Sequence, residues 1–219
     1  MSIIHRTTLN PTKPELLTPW LPTRLWYRGG TTGPRLAKAG GFRLDDPEGV
    51  VGIEFFVATD TPADPASGTP HAYLFPLTYR GAPLPDADHA LVGTLEHGVL
   101  GKRWVYDGVH DPVLTSALAA FLAGHLRPQA QSTNDTVDEE ITHAYTGEAP
   151  VLTGEITVTD TPEGTTLTTP DGPAIHFNRV LTDAPATPPT NALGHVTGAW
   201  AAPDGTRVRG VFAVIEPRA

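Results

Sequence analysis

Apolar positions along the chain alternate between two periods. From Glu15 to Trp26, residues Leu16, Leu17, Trp20, Leu21, Leu25 and Trp26 recur at helical spacing. Pro19 and Pro22 each lack a backbone donor, so this pattern predicts only one or two helical turns before a glycine-rich loop. Strand-type runs follow at Ala37 to Leu44, Val50 to Ala58 and Ala72 to Tyr79. The middle run, VVGIEFFVA, is rich in β-formers, and the three read as an antiparallel meander. Residues 59–70, TDTPADPASGTP, gather turn formers and predict an exposed loop. At Asp111-Pro112 the period changes again, because Asp suits a helix N-cap and Pro the first helical position, where no donor is needed. Val113, Leu114, Ala117, Leu118, Phe121, Leu122 and His125 then form a wide apolar stripe, which predicts the main helix as far as about Arg127, before Pro128.

The polar stretch 129–138 marks a boundary, after which the pattern is that of strands. These are expected at Ile141 to Tyr145, Leu152 to Thr159, Thr165 to Thr169, Ala174 to Leu181, His195 to Ala201 and Thr206 to Ile215. Thr161-Pro-Glu-Gly164 and Pro203-Asp-Gly205 are turn sequences suited to closing hairpins, and residues 183–191 form a proline-rich excursion. The fold expected is α+β: antiparallel sheets with one main helix on a sheet face, in a first domain over residues 1–130 and a β-rich subdomain over 131–219.

Composition narrows the chemistry. The 219 residues are 39% hydrophobic and 18% charged, which is the range of a folded chain rather than a disordered one. Cysteine is absent, which excludes disulfides, thiolate nucleophiles and cysteine-containing zinc sites, and fits a reducing cytosol. The N-terminal MSIIHRTTLNPTKPE lacks a charged start followed by an apolar segment, and no apolar run approaches the ~20 residues that span a bilayer, so a cytoplasmic protein without membrane contact is expected. Between Arg127 and Arg179 there are nine acids and no Lys or Arg, which accounts for the whole net charge of -9. Such a field repels phosphate backbones and argues against nucleic-acid binding.

Most catalytic motifs fail on inspection. Gly98 to Arg103 lacks the upstream glycine and the hydroxyl residue of a phosphate-binding P-loop, since Glu96 and Arg103 occupy those positions. The four serines, Ser2, Ser67, Ser116 and Ser132, sit outside any nucleophile-elbow sequence. The nine histidines form no His-x-His or His-Glu-x-x-His pattern, so neither a catalytic residue, nor a metal site, nor a cofactor is expected. His97, Asp107, His110 and Asp111 are the densest titratable group, and the simpler reading gives them structural work, with Asp111 as a cap. In an extended Lys102-Arg-Trp-Val-Tyr106 strand, Lys102, Trp104 and Tyr106 share one face while Arg103 and Val105 share the other. That places Arg103 beside an apolar neighbour and calls for either an ion pair or a ligand contact.

Two stretches also name a relative. WLPTRLWYRGG at Trp20 to Gly30 and LEHGVLGKRWVYDGVHDP at Leu95 to Pro112 resemble the N-terminal cap region of bacterial maltokinases and of stand-alone proteins with a cap-like domain. The resemblance covers mainly Glu15 to about Asp138. It implies a cystatin-like sheet and helix, and a connection to maltose, trehalose or α-glucan metabolism. The kinase catalytic signatures are missing, because neither His-Gly-Asp nor Asp-Phe-Gly occurs. The expectation is therefore an accessory or regulatory protein, more a binder than an enzyme. A protein partner in that metabolism would meet Trp20, Trp26, Arg28, His97, Lys102, Arg103, Trp104, Tyr106 and His110. A carbohydrate-binding module is the second reading, and a part in an ATP-using sugar kinase system the third.

Overall fold

The run around Val50 to Ala58 lies at the centre of one large antiparallel sheet, and both of its faces are buried. The computed structural model describes residues 8–30, 32–63, 68–131, 136–147, 152–182 and 188–218. Residues 64–67, 132–135 and 183–187, within the loops expected at 59–70, 129–138 and 183–191, lie outside them. In chain order the first elements are β1 (Leu9–Asn10), α1 (Lys13–Trp20), β2 (Leu36–Leu44), β3 (Gly52–Asp60) and β4 (His71–Arg80). Next come β5 (Leu91–His97), β6 (Gly101–Asp107), α2 (Pro112–Leu122), β7 (Gln129–Ala130) and β8 (Thr142–Tyr145). The chain then continues through β9 (Thr157–Thr161), β10 (Gly164–Thr168), β11 (Ala174–Phe177), β12 (Val180–Leu181), β13 (Gly194–Ala201) and β14 (Arg207–Glu216). The molecule is an α+β fold built on a main antiparallel sheet, ordered β1-β5-β6-β4-β3-β2-β13-β14-β11-β10-β9.

Strand β4 is where this sheet divides. Along one edge it pairs with β3 throughout. Its other edge serves two partners: Ala72 and Tyr73 pair with β12, whereas Leu77 to Arg80 pair with β6. Because β11 pairs with β14 and its continuation β12 returns to β4, the strands β4, β3, β2, β13, β14 and β11–β12 close a ring of pairings. The sequence pattern predicts one strand over Ala174 to Leu181. The structure breaks it at Asn178 and Arg179 and changes its partner there.

Period-two alternation distributes the core. From β3, Ile53, Phe55 and Val57 fill the ring together with Phe42, Leu74, Phe177, Val196 and Phe212. Phe42 and Phe55 stack with centroids 4.5 Å apart. The intervening Phe56 and Ala58 face the other way and pack with Phe75, Leu77, Leu95, Val105 and the residues of α1. Helix α1 opens with a capping box in which the Thr12 amide donates to Glu15 Oε2 at 2.8 Å. It ends within the two turns that Pro19 and Pro22 allow.

Helix α2 sends Leu114, Ala117, Leu118, Phe121 and Leu122 into the ring core, as its stripe predicts. It stops at Leu122, five residues short of the expected Arg127. Gly124 adopts φ +77°, its amide donates to Phe121 O at 2.9 Å, and the His125 amide donates to Ala120 O at 2.8 Å. This is a Schellman termination, in which the left-handed residue is a glycine because a Cβ is disfavoured there. Strand β5, with Gly93, Thr94, Glu96 and His97 among its seven residues, has no strand signal of its own and forms through pairing with β6. Part of the acidic run is answered by β14 and the C-terminal segment: Glu140 pairs with Arg207, and Asp171 with Arg218.

Candidate functional site

The hairpin β5–β6 brings exposed apolar and cationic groups together. The imidazole Nδ1 of His97 accepts from the amides of Val99 and Leu100 at 3.3 and 3.1 Å and shapes the turn, so His97 does structural work. Val99 and Leu100 are left 59% and 45% exposed at the tip. Along β6 the side chains alternate as the sequence predicts. Val105 joins the core beneath α1, while Trp104 and Tyr106 pack with Leu84, Ala87, Ala90 and Leu91. Tyr106 is buried and its hydroxyl accepts from the Leu84 amide at 2.9 Å, so it supports the surface from behind. Trp104 is half-buried, and the exposed Lys102 ammonium lies 5.0 Å from its ring centroid. Arg103 lies on the opposite face against the backbone of Gly81, where an added Cβ would come within 2.7 Å of Nη1. Among the described residues no carboxylate pairs with Arg103, so the ion pair that its position invites is not made.

Other candidates have different places. Trp20 and Trp26 are buried, with centroids 5.9 Å apart, and pack with Tyr73 and Phe75. These two are core residues, a correction to the expectation that they offer a surface, because the prolines around them fold the segment back onto the sheet. The edge of Trp20 is covered by Arg24, whose guanidinium lies 4.8 Å from the ring centroid. Arg28 is exposed, donates from Nη2 to Pro162 O at 2.8 Å, and lines a cleft of about 360 Å³ with Gly29, Gly30, Gly33 and Asp60. It is separate from the hairpin surface.

The group His97, Asp107, His110 and Asp111 disperses into distinct networks. Asp111 caps α2, accepting from the Val113 amide at 2.9 Å, and takes two bonds of 2.6 Å from Arg80 Nε and Nη2. Burial would raise its carboxyl, but the Arg80 guanidinium and the hydrogen bond from the Val113 amide hold it below its ordinary value. Asp107 belongs instead to Arg179. The fully buried Arg179 bonds both carboxylate oxygens of Asp107 through Nη2 at 2.8 Å, donates from Nε to Thr165 Oγ1 at 2.7 Å, and stacks 5.3 Å from the Trp26 ring centroid. It sits where β4 changes partner between β6 and β12. His110 meets His89, with Nε2 of His89 3.3 Å from Nδ1 of His110. Among the described residues no group of three His, Asp or Glu gathers to hold a metal.

Arg179 and His89 are the residues that sequence reasoning misses. For Arg179 a signal exists, since it is the first Lys or Arg after the run that holds only acids and is followed directly by the apolar Val180-Leu181 within an expected strand. A lone Arg in such a run is buried only with a partner. For His89, in the polar DADHA stretch, there is no comparable signal.

Residues 20–111 match the family model of the maltokinase N-terminal cap domain, so this segment of the chain is similar to that domain. A search of curated proteins finds no match to the chain. The matched segment runs from Trp20 to the Asp111 cap of α2, and so contains α1's last residue, β2 to β6 and the whole hairpin surface. Among the described residues no helix is long and apolar enough to cross a membrane.

Proposed function

We propose that the chain is a non-catalytic, cap-like accessory protein of maltose, trehalose or α-glucan metabolism, acting in the cytosol on a protein partner. Residues 1–130 form its cap-like part and 131–219 a β-rich subdomain packed on it. The observation that carries this reading is that the cap match includes the β5–β6 hairpin, where Val99, Leu100, Lys102, Arg103 and Trp104 stand at the surface. Trp and Arg, residue types over-represented among interface hot spots, stand on the two faces of the hairpin next to its exposed tip. The 219 residues hold no His-Gly-Asp or Asp-Phe-Gly sequence, which supports binding rather than phosphoryl transfer. The test is a pull-down from native cytosol with the wild type and an Arg103→Ala, Trp104→Ala double variant. Enrichment of a maltose or trehalose enzyme, lost in the variant, is expected. Purified protein that phosphorylates maltose with ATP would overturn the reading.

A carbohydrate ligand at Trp104 is the second reading, favoured by its half-buried ring and the exposed Lys102 ammonium beside it on the same face. A soluble glucan at millimolar concentration that leaves the melting temperature unchanged counts against it, because a ligand bound only by the folded state must stabilise it.

A further inference from the structure

His89 and His110 stand 21 residues apart in sequence, on two short 3-10 turns, Asp88–Ala90 and Gly108–His110. Both turns have fixed backbones. The Ala90 amide donates to Ala87 O and the Asp111 amide to Gly108 O, each at 2.9 Å, while Ala87, Ala90, Gly108 and Val109 are buried. Nε2 of His89 and Nδ1 of His110 are 3.3 Å apart, with ring planes at 89°. A hydrogen bond accounts for that distance, and so does a shared metal. Two imidazole nitrogens at about 2.0–2.1 Å from a tetrahedral ion are about 3.3–3.4 Å from each other.

We propose that His89 Nε2 and His110 Nδ1 form a two-histidine site for a divalent transition ion such as Zn²⁺, Ni²⁺ or Cu²⁺, with water completing the coordination. His89 is exposed, so a small rotation of its ring brings its lone pair to the common point, and the ion reaches it from solvent. His110 is half-buried and held by its neighbours. Desolvation pushes its pKa down, with His89 and Arg179 acting the same way and Asp107 and Asp160 opposing, which favours the neutral form that a metal needs. Asp107 is not a ligand, because both its oxygens are taken by Arg179. Imidazole donors select borderline ions over Mg²⁺ or Ca²⁺.

The site has a mechanical consequence. Ala87 and Ala90, on either side of the first turn, pack against Trp104 and Tyr106. A bound ion would tie that turn to the start of α2 and stiffen the support behind Trp104.

The experiment is a Zn²⁺ titration of the purified full chain by calorimetry, repeated on His89→Ala, His110→Ala and His97→Ala, with long-range imidazole NMR as a second readout. One saturable Zn²⁺ per chain is expected, weakened by about tenfold or more in each of the first two variants and unaltered in the third. The His89 and His110 resonances should shift together. His89 is exposed, so its variant keeps the fold, which a far-UV spectrum checks. Zn²⁺ binding that survives unchanged in His89→Ala places the ion on other histidines and overturns the proposal. So does an absence of saturable binding in the wild type.

Discussion

Three arginines of this fold differ in what surrounds them. The side chain of Arg179 is 0% exposed and bonds both oxygens of Asp107, that of Arg80 is 20% exposed and bonds Asp111, and Arg103, a strand residue half in solvent, has no carboxylate partner among the described residues. Their charge is the same, so the difference lies in how much water each has lost. A guanidinium taken fully out of water must have its partner in place, whereas one at the surface needs none. Arg179 therefore joins the hairpin β9–β10 and the ring closure to β6, and Arg103 is left without a carboxylate among the described residues.

Breaking the most buried member should have the largest effect. Arg179→Met leaves Asp107 buried without its counter-charge and should cost about 3–5 kcal/mol, read from a fall in the urea midpoint. Adding Asp107→Asn should restore part of that loss. A single variant that costs under about 1 kcal/mol would show that the fork is held by packing alone.

The intermediate pair is tested by pH. Asp111→Asn keeps a good N-cap and removes the charge, and should cost about 1–2 kcal/mol at neutral pH. The folded-state pKa of Asp111 lies below its ordinary 3.8, so the pair's contribution is complete above the ordinary value and is lost as pH falls from there through the lower folded-state pKa. Urea midpoints of wild type and variant should therefore run parallel above about pH 5 and converge only as pH falls below about 4. Curves that stay parallel would separate the stability from the Arg80 pair.

The smallest effect on stability belongs to the surface residue. Arg103→Ala should change unfolding free energy by no more than about 0.5 kcal/mol while weakening capture of the partner. A larger loss would mean that its contact with Gly81 holds the end of β4 and β6 in place, and would turn this residue from a contact into a support.

The outcome at particular residues separates what could be read locally from what could not. The Asp111-Pro112 helix start, the proline-limited α1 and the alternation of Lys102 to Tyr106 were all legible, because caps, missing donors and period-two spacing act within a few residues. The end of α2 was equally local. Gly124 carried the stop signal, yet the apolar stripe through His125 suggested a longer helix. Strand β5 was not legible, since its mixed residues are held by β6 rather than by their own preference. Nor were the roles of the two tryptophans, which are equally suited to a surface or a core.

By itself, the amino-acid sequence determined the alternation of helical and strand periods, the exclusion of thiol chemistry and the cap-like signature at Trp20 to Gly30 and Leu95 to Pro112. Each depends on composition or on neighbours within one turn or one strand. Only the tertiary structure decided that β12 returns to β4 and closes the ring, that Arg179 rather than Arg103 receives the buried aspartate, and that His89 meets His110. These depend on strand register between distant segments, 72 residues apart for Arg179 and Asp107 and 107 for Val180 and Tyr73. A one-residue slip in register would move every side chain to the opposite face, so that information is present only when the strands have paired.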